Sequence, residues 1–363
     1  MLYVTSLRFA ANSSRLRTPT DFSNFPVMND EPSSQLEPDL ERFQAKFDEL
    51  KSEIQKAIVG YDELLTDTLA AVFSRGHILL EGVPGLGKTF LVQTLSKVMG
   101  LSPGRIQCTP DLMPADILGT HIVNENDEGR RVMHFEKGPV FANLILVDEI
   151  NRATPKTQAA LLEVMQEGSV TSGGDTMILP QPFFVMATQN PMEMEGTYPL
   201  PEAQADRFLF KLRVPFPDQE TLVEIAKRTA GFDAPDLKQV LGGDELIEFQ
   251  KIVARVPVAD HVTEYAAHIV LATHPESESK TAEVGEYVSY GASPRGMQAL
   301  IRGAKVVCAL DGRTAVSIDD VKRVALPALR HRVILNFQGE AESRNIDQLV
   351  ESVLTAIPET ASV

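Results

Sequence analysis

The chain has 363 residues, enough for two domains, and 34 basic against 50 acidic side chains give it a formal charge of −16. Its 43% hydrophobic content is that of a packed globular protein, and 23 Gly and 23 Pro are too few for a collagen-like or low-complexity chain. The acidic balance disfavours general nucleic-acid binding, which draws on basic surface, and no run approaches the roughly 18–20 apolar residues of a membrane helix. Its 2 cysteines, Cys108 and Cys308, are far apart and cannot build a disulfide framework, so a reducing, cytoplasmic compartment is expected.

The first residues carry Arg8, Arg15 and Arg17, several Ser and no acid before Asp21. This faintly resembles an organelle transit peptide, but a plain unstructured leader is the favoured reading, with Met28 as a candidate true start. Ser13–Pro38 is rich in Ser, Pro, Asn and Asp, and residues 1–38 are expected to be a disordered leader. Phe43, Phe47, Leu50, Ile54 and Ile58 then recur every three or four residues, which predicts an amphipathic helix ended by Gly60. A second helix is expected over Glu63–Phe73.

Short apolar segments next alternate with helical ones. His77–Glu81, Arg105–Cys108, Leu144–Asp148 and Phe183–Thr188 read as strands, and Lys88–Met99 and Thr157–Gln166 as helices. The alternation predicts an α/β fold: a parallel sheet with helices on both faces. Ile122–Phe135 and Ser169–Leu179 have β-prone flanks and Gly-containing centres, and predict two inserted hairpins. After the Pro-rich junction Val214–Asp218 only helical periodicity persists, over Gln219–Arg228, Asp244–Val253, Val262–Thr273, Pro294–Leu310 and Ile318–Arg330, with a last apolar face between Ile346 and Ile357. A nucleotide-binding α/β domain over 39–215 and a helical lid over 216–363 are therefore expected.

Gly82-Val-Pro-Gly-Leu-Gly-Lys88-Thr89 fits the phosphate-loop pattern G-x-x-x-x-G-K-[ST]. The pattern arises by chance in roughly one chain in a hundred of this length, and here a strand precedes it and a helix follows. Gly82, Gly85 and Gly87 let the backbone turn tightly with its N–H groups toward phosphate. The helix beginning near Lys88 presents its positive dipole end to the same anion. The expected ligand is ATP with Mg²⁺: Gly82, Pro84, Gly85, Leu86, Gly87 and Phe90 form the cradle, Lys88 reaches the β- and γ-phosphates, and the Thr89 hydroxyl ligates the metal. The apolar run Leu144–Val147 ends in Asp148-Glu149. A buried strand delivering two carboxylates at its C-terminal end suits a Mg²⁺ ligand, Asp148, and a group that polarises the attacking water, Glu149.

With these residues in view the chain resembles AAA+ ATPases, and within them the MoxR group. The resemblance is carried by GHILLEGVPGLGKT (76–89), LVDEINRATPKTQAALLEVMQEG (146–168), ATQNP (187–191), EGTYPLPEAQADRF (195–208) and GASPRG (291–296). It implies a P-loop NTPase fold with a helical lid, and ATP hydrolysis by a ring, six subunits being the family expectation. It implies that Asn190 is sensor 1, that Arg207 is an arginine finger acting on a neighbouring subunit, and that Arg295 is sensor 2, touching γ-phosphate from the lid. Ile58, Val59 and Gly60 match the segment packing near adenine. Alternatives remain: Asn190 as a turn residue, Arg207 paired with Asp206 or Glu202, Arg295 as a surface arginine, and Ile58–Gly60 as an apolar helix end. Arg152 is either a second contact across subunits or a structural salt bridge. Met194 and Ala205 depart mildly from the group's pattern beside the finger loop.

Members of the group typically act as chaperones for protein complexes or metal insertion, often with a von Willebrand A-domain partner. The resemblance therefore implies a protein client and such a partner, while the acidic balance and short apolar runs lead to an expectation of no nucleic acid and no integral membrane segment. A metal-chelatase motor subunit and a nucleotide-gated binding module with little turnover are the alternatives. No DNA-binding domain or GAFTGA-type loop accompanies the motifs. His261, His268 and His274 lack any known metal-ligand spacing and read as polar helix positions. Arg330-His331-Arg332 reads as a cationic helix end complementing the dipole.

Overall fold

The computed structural model describes residues 35–125, 130–190, 196–230 and 235–358. The leader through residue 34, the centre of the first hairpin at 126–129 and Met194 lie outside these ranges. Helices α1 (Leu36–Gln55) and α2 (Asp62–Phe73) precede strand β1 (Ile78–Glu81), followed by α3 (Lys88–Val98), β2 (Pro103–Gln107) and the short α4 (Pro114–Leu118). The hairpin β3 (Gly119–Glu125) and β4 (Arg131–Lys137) comes next, then β5 (Leu144–Asp148) and α5 (Pro155–Glu167). A second hairpin, β6 (Ser169–Ser172) and β7 (Asp175–Ile178), turns at Gly173–Gly174 and leads to β8 (Phe184–Gln189), the short α6 (Glu202–Ala205) and β9 (Phe210–Arg213). The rest is mostly helical: α7 (Gln219–Thr229), α8 (Gly243–Ala254), α9 (Asp260–Ala272), α10 (Ala282–Tyr287), α11 (Pro294–Leu310), α12 (Ile318–Leu329), α13 (Phe337–Ala341) and α14 (Ile346–Ala356). Two short strands, β10 (Val288–Tyr290) and β11 (Ile334–Leu335), pair between them.

The central sheet is parallel, in the order β2-β5-β8-β1-β9. Its side chains alternate between two apolar clusters. Ile78, Leu80, Leu144, Leu146, Met186 and Phe210 face a cluster shared with α1, α2, α3 and the helical region. Leu79, Ile145, Val147, Val185 and Ala187 face the other cluster, under α4 and α5. Burial on both faces explains why these strands read as continuous apolar runs.

Three expectations are corrected. Helix α1 begins at Leu36, not after residue 38, because Leu36 and Leu40 extend the buried stripe of Phe43 and Phe47. The fifth strand, β9, is not among the expected strands, since four residues ahead of the Pro-rich junction carry too little pattern to be recognised. The region beyond that junction is not wholly helical, because β10 and β11 bring Val288 beside Leu335.

His77, just before β1, is half-buried, and loss of water around the ring pushes its imidazole down to about 4. Its Nε2–H donates to the Met165 carbonyl at 3.1 Å, and Nδ1 accepts from the Val185 N–H at 3.1 Å. Protonating Nδ1 would break the second bond. The unfolded chain takes up a proton below about pH 6.5, while the folded imidazole resists until about pH 4. His77 therefore contributes stability that is complete above pH ~6.5 and is lost as pH falls toward 4, on the order of 3 kcal/mol. Thermal melts across pH 4–7 should show this acid loss, and a His77→Gln variant, which keeps a donor and an acceptor but does not titrate, should flatten it. An unchanged slope in the variant would contradict the assignment.

Candidate functional site

At the C-terminal end of β1 the chain enters the phosphate loop. Gly85 (φ 85°) and Gly87 (φ 76°) sit in the left-handed region that favours glycine, and Gly87 is the N-cap of α3 with no side-chain cap over the helix's free N–H groups. The space above both glycines is open: a Cβ built at either meets nothing within 4 Å. Gly82 is different, since a Cβ there would lie 2.9 Å from Val214 Cβ, so the loop's first residue is fixed by close packing on the chain beyond β9. Lys88 Nζ donates to the Gly82 carbonyl at 2.6 Å. Burial lowers the Lys88 pKa, while Asp148 and Glu149 oppose that shift, so the ammonium stands in their field. Thr89 is half-buried and Phe90 is exposed on the first turn of α3, and Pro84 is exposed at the loop's tip.

Asp148 ends β5, whose neighbours are β2 and β8. The Thr188 hydroxyl of β8 donates to Asp148 Oδ1 at 3.2 Å and accepts from the Glu149 N–H at 2.8 Å. Glu149 is a non-glycine residue at φ 56°, ψ 53°, a strained conformation for a residue with a Cβ. Its Oε2 accepts from Arg152 Nη1 at 3.0 Å and from Gln107 Nε2 at 3.2 Å. Arg152 thus makes the salt bridge within the subunit. Asp148 Oδ2 accepts from Arg105 Nη2 at 3.0 Å. Sequence reasoning missed Arg105, Gln107 and Thr188; the signal available was polar residues at the ends of strands flanking β5. Cys108, next along, is pushed up to about 12 by burial and by these two acids, so it stays a neutral thiol.

Asn190 follows β8 directly and is buried, and the Gly82 N–H donates to its neighbour Gln189 at 3.2 Å. Sheet pairing therefore brings Asn190, the loop and the acidic pair to one end of the sheet. Ile58 and Leu86 pack on the same apolar cluster. Gly60 (φ 76°) lies tight against Thr221 of α7, and Arg228 of α7 donates to the carbonyls of Gln55 and Lys56, each at 3.0 Å. Ile58, Val59 and Gly60 thus form a turn closed by α7. The residues fit a nucleotide with its divalent cation: free amides in the open loop, an ammonium, a hydroxyl and two carboxylates converge.

Arg207 and Arg295 are elsewhere. They line a cavity of about 190 Å³ together with Arg75, Arg302, Arg332 and Asp206. Gly76, His77 and Leu209 also line it, which puts it at the N-terminal ends of β1 and β9. The four residues of β1 span about 13 Å at roughly 3.3 Å each, so the sheet separates this cavity from the phosphate loop. Arg295 therefore does not reach the γ-phosphate of its own subunit, which corrects the expectation of a lid contact within one chain. Arg207 does not pair with Asp206 or Glu202. Its Nη1 donates to the Leu162 carbonyl at 2.7 Å, and its Nε has no partner among the described residues. Asp206 is taken up by Arg332 Nε at 2.7 Å and by the Ser293 hydroxyl at 2.9 and 2.8 Å.

The cluster Arg330–Arg332 follows the end of α12, as expected, but does more than complement its dipole. His331 and Arg332 are buried, and Arg330 bridges Asp347 of α14 at 3.1 Å. Burial lowers Arg332 to about 10 despite Asp206, and burial drives His331 well below its ordinary value. His261 and His268 are exposed, His274 bonds the Ala292 carbonyl at 2.9 Å, and no metal-holding cluster occurs among the described residues.

The AAA family profile, ATPases associated with various cellular activities, matches residues 77–210, and an AAA lid domain profile matches 280–353. The chaperone MoxR1 of Mycobacterium tuberculosis is 44% identical over 86% of this chain and 82% of its own. The chain belongs to the MoxR family of AAA+ ATPases. MoxR of Paracoccus denitrificans is 29% identical over 90% of this chain and all (100%) of its own. Among solved structures, a Cytophaga hutchinsonii protein provisionally named an ATPase superposes with a TM-score of 0.84 at 39% identity, covering 90% of this chain and 99% of that one. The α/β sheet with its helical lid is thus the MoxR-family fold, and nucleotide binding is the family's property. No helix among the described residues is long and apolar enough to cross a membrane.

Proposed function

We propose that this MoxR-family chain is an ATP-hydrolysing subunit of a closed ring, remodelling or assembling a protein client in the cytoplasm. One observation carries the reading: the two halves of a hydrolytic site lie at opposite ends of one subunit's sheet. The phosphate loop and acidic pair stand at one end, and Arg207 with Arg295 at the other. Such halves meet when one subunit's arginine end faces the next subunit's loop, a heterologous contact that closes into rings. Six subunits are proposed from the family.

In this reading Lys88 and the loop amides hold the β- and γ-phosphates, and Thr89 and Asp148 hold Mg²⁺. The cation would offset phosphate charge. Glu149 takes the proton of the attacking water, its carboxylate held by Arg152 and Gln107 until the substrate is bound. Asn190 orients that water. Arg207 and Arg295 offset charge developing on the transferred phosphoryl group of the adjacent subunit. The nucleotide domain then runs from the start of α1 at Leu36 to residue 215, and 216–363 serve as the lid. The two hairpins support a client-facing role, since Val123, Met133 and Ile178 stand exposed on them. Metal insertion and a von Willebrand A-domain partner are proposed on the family resemblance alone.

The test is ATP turnover per subunit over a wide range of protein concentration. It should rise with concentration and level off as rings form. Turnover near zero at every concentration would favour a nucleotide-gated binding module.

A further inference from the structure

Arg332 is the most fully committed side chain in the arginine cavity. A guanidinium carries five N–H donors. Here Nε donates to Asp206 Oδ1 at 2.7 Å, Nη2 to the carbonyls of Asp206 at 3.0 Å and Phe208 at 2.7 Å, and Nη1 to those of Leu209 at 3.2 Å and Ala328. Every donor is used, so Arg332 has none left for a ligand. The carbonyls of Asp206 and Phe208 flank Arg207, and the Phe208 carbonyl also accepts from His331 Nε2 at 3.0 Å. The Asp206 carboxylate, held by Arg332, accepts in turn from Ser293, the N-cap of α11. Ser293 Oγ accepts the Arg295 N–H at 3.1 Å, and Arg295 Nη1 lies 3.9 Å from Asp206 Oδ2. Arg295 itself stays 44% exposed.

Burying a charged pair is costly, and an apolar side chain would fill the same space more cheaply. What the guanidinium adds is a rigid planar fork with fixed directions. It ties the segment bearing Arg207 to the helix bearing Arg295. We propose that Arg332, acting through Asp206, is a positioning residue that holds Arg207 and Arg295 as one unit, so that both enter a neighbouring subunit's nucleotide site together. The inference rests on the reading of Arg207 as a finger acting between subunits. Movement of the helical region then carries both arginines at once.

The test uses Arg332→Lys, which keeps the charge but offers three donors in place of five. At saturating ATP its turnover should fall at least roughly tenfold, as expected when a reacting group is misplaced by an ångström or so, with nucleotide affinity unchanged. The lesion should lie in what the subunit gives its neighbour. Mixing Arg332→Lys with Glu149→Gln subunits, which have intact arginines but no base, should therefore restore turnover. Damage to the variant's own site would not be rescued, and that result overturns the proposal, as does turnover within about twofold of the parent. Should Arg332→Lys not fold, Ser293→Ala, which cuts the link between Asp206 and α11 together with the cap bond to the Arg295 N–H, decides the matter by the same two readouts. If Arg207→Ala turns over like the parent, the finger reading itself fails. If Arg207→Ala is slow and rescued by Glu149→Gln subunits but the Arg332 and Ser293 variants are not, only the positioning role fails.

Discussion

A Glu149→Gln subunit is expected to bind ATP with unchanged affinity and to release phosphate at least roughly a hundredfold more slowly, the usual loss when a positioned general base is removed. The substitution keeps shape and removes the carboxylate's charge and its ability to take a proton. The Glu149 backbone is held at φ 56° between the end of β5 and the turn Ile150–Arg152, and its N–H is tied to the Thr188 hydroxyl at 2.8 Å. The amide oxygen can still accept from Arg152 and Gln107, so the local structure should persist. Single-turnover phosphate release against nucleotide binding separates the two effects. Wild-type release from the variant would remove Glu149 from the chemistry.

Arg207→Ala should cost on the order of a thousandfold in turnover, as for arginine fingers supplied by a second subunit, again with nucleotide affinity unchanged. Among the described residues of its own subunit Arg207 makes a single side-chain bond, to the Leu162 carbonyl at 2.7 Å. Losing it should lower stability by about 2 kcal/mol, the usual size for a hydrogen bond made by a charged group. A large rate effect with a small stability effect is what a group serving another subunit predicts. A fall in stability matching the fall in rate would point to a structural role.

How far the sequence discloses this site depends on how local each signal is. The phosphate loop and Asp148-Glu149 are contiguous motifs at the ends of apolar runs, and β1 and β5 form where those runs lie. The hairpins were legible because a Gly-containing turn between β-prone flanks is also local. The placement of Arg295 was not, because the GASPRG segment reports a helix start but not where α11 docks. The docking follows from packing of α11 and α12 on α1, α2 and β9, which leaves the start of α11 at the N-terminal edge of the sheet. Arg332 was misread for a related reason. Three cationic-type residues after a helix suggest charges complementing its dipole, yet Leu329 precedes and Val333–Leu335 follows, and a basic residue set in an apolar run signals a buried, paired charge.

The central claim is that each nucleotide site is completed by arginines from another subunit. The direct measurement is ATP turnover in an equimolar mixture of Arg207→Ala and Glu149→Gln subunits, each nearly inactive alone. A ring of randomly mixed subunits places an intact finger beside an intact base at about a quarter of its sites. The account predicts turnover near a quarter of the parent rate per subunit. A mixture no more active than its two components would contradict it.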